Sequence, residues 1–76
     1  MTSVYSVSHA DGTFYVPTKA EALRAARELR DSGDLFVRVV KLVVTDKLGR
    51  RALYCALLNG ESFAAKQEDL TLEVPV

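Results

Sequence analysis

Leu35-Phe36-Val37-Arg38-Val39-Val40-Lys41-Leu42-Val43-Val44-Thr45 is the stretch on which the reading of this 76-residue chain turns. It is the longest apolar run, and its β-branched residues read as a strand. Its two charges disagree in phase. Leu35, Val37 and Val39 share one face with Arg38 turned away, whereas Leu42 and Val44 must point inward if Lys41 is to reach water. Two arrangements reconcile the halves. A β-bulge near Val39 and Val40 would restore both charges to the exterior. Alternatively, both faces are buried under neighbours and the long charged side chains snorkel out.

Working outward toward the N-terminus, Gly33 takes the left-handed position that closes a helix. Ala22, Leu23, Ala26 and Leu29 fall on one side of that helix, with Glu21, Arg24, Glu28 and Asp31 opposite, so the segment from Lys19 to Ser32 is amphipathic. Its start is marked by Thr18 with Glu21 three residues on, a capping box in which each side chain accepts from a free backbone N–H. The two alanines predict a close approach to one sheet face. Arg24 with Glu28 and Arg27 with Asp31 are pairs four apart on a solvated face, each contributing only ~0.2–0.5 kcal/mol. Before Pro17, the alternation Val4 to Ser8, the Asp11-Gly12 turn and Phe14-Tyr15-Val16 predict a β-hairpin.

Toward the C-terminus, Asp46-Lys47-Leu48-Gly49 is turn chemistry, and Arg51 to Leu58 is expected to return as the partner strand of a long hairpin. Asn59-Gly60 marks a further tight turn. Ser62 to Lys66 reads either as a short strand or as a helical turn capped by Ser62. Leu70, Leu72 and Val74 alternate with Thr71 and Glu73 as a half-buried terminal strand ended by Pro75. The sum is a single compact α+β domain over residues 1–76, in the order β-β-α-β-β-β. It has two layers: one antiparallel sheet of four to five strands, with a single helix on one face.

Composition bounds the function. With 49% hydrophobic and 26% charged residues the chain is of ordinary globular character. A domain of this size has little core, and Cys55 is the only cysteine, so no disulfide adds to it. A homodimer or a tight partner is therefore expected. No metal site or cofactor is expected, because His9 and Cys55 are the sole imidazole and thiol. His9 reads as an exposed strand-end histidine, Cys55 as a buried small hydrophobe, and no catalytic constellation emerges. The glycines stand singly at turns and form no phosphate loop. No export signal or membrane span is visible, so a cytoplasmic protein is expected.

Charge is the remaining signal. The net value is zero, yet residues 35–58 carry Arg38, Lys41, Lys47, Arg50 and Arg51 against Asp46 alone, and residues 59–76 carry Glu61, Glu68, Asp69 and Glu73 against Lys66. A basic hairpin with Lys47, Arg50 and Arg51 at its tip would suit a nucleic-acid groove, although a pI near 6.6 is low for such a role. Exposed basic strand residues also guard edges against aggregation. Glu68, Asp69 and Glu73 would in turn suit a basic groove on a partner by imitating phosphates.

An Ala-rich helix from Thr18 to Ser32 on an antiparallel sheet, with no reactive cluster and a dipolar surface, resembles in outline the small anti-CRISPR proteins of phages and mobile elements. The resemblance spans the whole chain in architecture and rests on no diagnostic motif. It implies a non-enzymatic inhibitor, in the host cytoplasm if phage-encoded, that docks on a CRISPR-Cas effector and blocks target-DNA binding or nuclease recruitment. The expected contacts are Arg38, Lys41, Lys47, Arg50 and Arg51, or Glu68, Asp69 and Glu73, with Tyr5, Phe14 and Tyr54 as aromatic centres where exposed. The alternative is a nucleic-acid-binding or regulatory accessory domain using the basic hairpin around residues 38–51.

Overall fold

Arg38–Val44 forms the inner strand β3 of a four-stranded antiparallel sheet in the order β2-β1-β3-β4. The computed structural model describes residues 2–44 and 51–74. The other strands are β1 (Thr2–His9), β2 (Gly12–Val16) and β4 (Lys66–Asp69). Helices α1 (Lys19–Asp31) and α2 (Ala52–Asn59) complete an α+β domain, with 3-10 turns at Gly60–Phe63 and Thr71–Glu73.

The phase conflict in β3 is resolved without a bulge. Its register against β1 runs unbroken from Thr2↔Val44 to Ser8↔Arg38. Both faces of the sheet are covered instead. Tyr5, Val7, Val37 and Val39 pack with Ala22 and Ala26 of α1, while Val4 and Val44, of opposite parity, pack with Ala52 and Ala56 of α2. Lys41 is half-buried on the α1 face, and Arg38 is exposed. The architecture therefore has three layers, with a helix on each face, rather than two layers with one helix. Arg51 to Leu58, expected as a strand, supplies the second helix.

The local signals at α1 act as expected, with one change of detail. Thr18 Oγ1 accepts from the Glu21 N–H at 3.3 Å, and the Thr18 hydroxyl then donates to the Glu21 carboxylate at 3.0 Å, in place of a reach back to the Thr18 amide. At the other end Gly33 has φ +96°. Its N–H donates to the Arg30 carbonyl, and the Asp34 N–H to that of Leu29, a Schellman closure.

The β1–β2 hairpin also forms, with Ala10-Asp11 as its loop and Gly12, at φ +142°, opposite His9. Asn59-Gly60 supplies a positive φ of 62°, but at the C-terminus of α2 rather than in a hairpin. After the 3-10 turn, Lys66–Asp69 pairs with β3. The expected strand through Leu70, Leu72 and Val74 is a 3-10 turn, with Leu70 and Val74 buried against α1 and Leu72 fully exposed. The expected turn Asp46 to Gly49 lies outside the described residues.

Candidate protein-binding surface

At the end of the sheet where α1 hands over to β3, the chain turns large apolar side chains to solvent. Leu35, Phe36 and Leu72 are 88%, 74% and 101% exposed. Two carboxylates hold the backbone that presents them. Asp34 Oδ1 accepts from the Phe36 N–H at 2.9 Å, so the two residues after the helix closure are turned away from the core. Asp69 Oδ1 accepts from the Thr71 N–H at 2.8 Å and also from the Thr71 hydroxyl. Thr71 Oγ1 in turn accepts from the Val39 N–H at 3.1 Å, locking the turn that carries Leu72 onto β3.

Between these braces lies a groove of about 540 Å³ lined by Phe36, Val37, Arg38, Asp69, Thr71 and Leu72. Arg38 Nε stands 3.8 Å from Asp69 Oδ2 across it. The Thr71 hydroxyl and N–H, with Arg38 a lesser cause, hold the Asp69 carboxyl below its ordinary pKa. The floor is apolar and one rim carries a paired charge. Such a site suits an apolar anchor flanked by polar groups, the usual composition of a protein contact.

On the other side of the Leu35-Phe36 ridge is a second open groove, bordered by His9, Asp11, Leu29 and Asp34. His9, expected to be exposed, is largely covered, with its side chain 18% exposed. It packs edge-on to Phe14, and its Nδ1 lies 3.6 Å from Asp34 Oδ2, long for a hydrogen bond. Asp34 Oδ2 accepts instead from the Ala10 N–H at 3.2 Å. The amides of Phe36 and Ala10, and His9 after them, hold the Asp34 carboxyl below its ordinary pKa. The bordering Ser32 hydroxyl is engaged with the Glu28 carbonyl. This bonding ties the hairpin loop to the helix end. Among the described residues, no three His, Cys, Asp or Glu side chains gather as a metal ion would require.

Among the described residues, part of the basic middle of the chain lies beside part of its acidic end. The β3–β4 register sets Lys41 opposite Glu68, and Arg38 faces Asp69 on the diagonal. Glu73 accepts from Lys19 Nζ at 2.7 Å, which raises the Lys19 pKa. Arg51 is exposed just before α2, and Lys47 and Arg50 lie outside the described residues. The return strand expected over Arg51 to Leu58 is not formed, because residues 52–59 are helical.

Of the aromatic candidates, Tyr5 is buried, Phe14 half-buried and Tyr54 62% exposed. Cys55 is half-buried rather than buried. Neither Phe36 nor Leu72 is among the contacts expected from the sequence, where Leu72 reads as part of a half-buried terminal strand. The legible clue was Asp34 two residues before Phe36 and Asp69 two before Thr71, the spacing of Asx turns.

No described helix is long and apolar enough to cross a membrane. In comparisons with known proteins the chain matches no family model, no curated sequence and no solved structure.

Proposed function

We propose that this chain is a non-enzymatic binding protein that docks on a protein partner through the Leu35-Phe36 ridge and the groove between Phe36 and Leu72. The observation that carries the reading is three large apolar side chains held almost fully in water by hydrogen-bonded turns, beside the Arg38–Asp69 pair. Exposed apolar groups that the backbone actively orients are a contact surface rather than leftover core. The resemblance to small anti-CRISPR proteins supplies the partner class: a CRISPR-Cas effector, occupied stoichiometrically so that target-DNA binding or nuclease recruitment is blocked. Arg38 and Asp69 are the charged contacts of this reading, with Phe36 and Leu72 as its apolar anchors.

Titration of the purified chain into assembled effector complexes, read by calorimetry and by target-DNA capture, tests it. Phe36→Ala with Leu72→Ala is expected to weaken binding at least about tenfold, as the loss of two buried anchors does. Circular dichroism should be unchanged, since both side chains are exposed. Undiminished inhibition by this variant would remove the ridge from the mechanism, and absence of binding to every effector class would remove the target.

A further inference from the structure

A second surface, on another side of the molecule, carries an inference that does not depend on the partner reading. It concerns the outer edge of β2. In β3, the Val39 and Val43 carbonyls accept from Leu70 and Ala65, so the odd-numbered residues of β3 bond toward β4. Its even-numbered residues therefore bond to β1, in the pairs Val4↔Leu42 and Ser6↔Val40. The odd residues of β1 are then the ones that bond β2, through Tyr5↔Val16, Val7↔Phe14 and His9↔Gly12. This alternation leaves the N–H and C=O groups of Thr13 and Tyr15 pointing away from the sheet, where no described strand pairs with them.

Natural edges are usually blunted by charge, and the two edges here differ. Lys66-Gln67-Glu68-Asp69 guards the β4 edge, whereas Gly12-Thr13-Phe14-Tyr15-Val16 has no charged residue. Helix α2 packs over β1 and β2, beside that same edge. It is uncharged along its length, and Tyr54, Leu57 and Leu58 are 62%, 64% and 66% exposed. A helix apolar all round is normally covered on all sides. With Ala52 and Ala56 against the sheet, helical geometry puts Leu53 and Leu57 on one flank and Cys55 and Leu58 on the other. Whichever flank faces the edge presents leucine.

We infer that the β2 edge and the adjoining flank of α2 form a homodimer interface, in which β2 pairs antiparallel with β2 of a second copy about a twofold axis through Phe14. Three features select a second copy over another occupant. The outward groups belong to Thr13 and Tyr15 alone, and a twofold at Phe14 matches each Thr13 to the other copy's Tyr15, exchanging both backbone bonds of the pair. Neither β2 nor α2 carries a charged side chain, so strand and helix meet their mates without repulsion, while Glu61 stands near enough to Tyr15 to act on its hydroxyl. Spacing also agrees. Strands lie about 4.8 Å apart, and a helix seated over β1 and β2 would stand roughly 10 Å from its symmetry mate. That is the upper end of the ~8–10 Å at which helices pack. The result is an eight-stranded sheet with α2 paired on α2 above it. It also adds core to a domain too small to have much of its own.

Sedimentation equilibrium on the whole chain, with hydrogen exchange read by NMR, tests the inference. The expected result is twice the monomer mass, with Thr13 and Tyr15 amides that exchange slowly at high protein concentration and faster on dilution. Thr13→Pro removes one outward N–H, and Leu57→Glu with Leu58→Glu brings like charges together. Each should raise the dimer dissociation constant at least about tenfold while circular dichroism stays native. A chain that is monomeric at high micromolar concentration, or a dimer whose Thr13 and Tyr15 amides exchange at the free rate, overturns the inference. A folded Leu57→Glu/Leu58→Glu chain that dimerises as well as the parent removes α2 from the interface.

Discussion

Asp34 shows how one side chain can set the surface of this protein. It follows the glycine that closes α1, and its two oxygens take the amides of Phe36 and Ala10. Those bonds exist for the carboxylate, which is why its pKa lies below the ordinary value. The sign of the linkage follows. A carboxyl depressed in the folded state adds stability that is fully present above its unfolded pKa and is lost as pH falls through its folded value. Asp34→Asn is therefore expected to flatten the acid limb of the stability profile below about pH 4, the ordinary carboxylate range, with a smaller change in slope at neutral pH. Urea unfolding at a series of pH values measures this, and an acid limb as steep as the parent's would show that Asp34 is not its source. Ser6 is the counter-example at this scale, a fully buried hydroxyl whose Oγ finds no partner among the described residues.

Among the elements, the two helices differ in how openly their residues declare them. Helix α1 has a capped start, a polar face and a glycine stop, and each is found where its residues place it. Its alanines have the consequence expected of them. Ala22 and Ala26 are fully buried, so the helix backbone lies close to β1 and β3. Enlarging that contact should strain it. Ala26→Leu is expected to cost about 1–3 kcal/mol by overpacking, whereas Ala20→Leu, on the exposed side, should be near neutral. Denaturant midpoints for the two variants check the contrast, and equal midpoints would place the helix farther from the sheet. Helix α2 gives no such signs. It starts at Arg51 without a side-chain cap, with a cation where the helix dipole favours an anion, and it has no polar face. An apolar run of that length reads equally as a strand, because periodicity cannot separate a short buried strand from a helix apolar on every side.

At the scale of the whole molecule, the sheet register brings part of the basic middle of the chain beside part of its acidic end. The basic middle and acidic end look like two patches in sequence, but β3 and β4 lie side by side and set Arg38 and Lys41 beside Asp69 and Glu68. A phosphate-tracking surface built on β3 would have to break the Arg38–Asp69 pair and would lie beside Glu68. The chain is accordingly expected not to retain duplex DNA or RNA at physiological salt. A titration of fluorescent duplex against ionic strength checks this, and a slope of log affinity on log salt near −3 or steeper would restore the nucleic-acid reading. The residues alone determined what depends on near neighbours: the Thr18 cap, the Gly33 stop, the hairpin at Asp11-Gly12, the apolar identity of β3, and an α+β class. They also posed the conflict between Arg38 and Lys41 without resolving it. Only the tertiary structure decided that a second helix covers the other face of the sheet, that opposite charges meet, and that Phe36 and Leu72 are left in water. Those outcomes depend on which segments lie beside one another, and burial and pairing energies are set by neighbours distant in the chain.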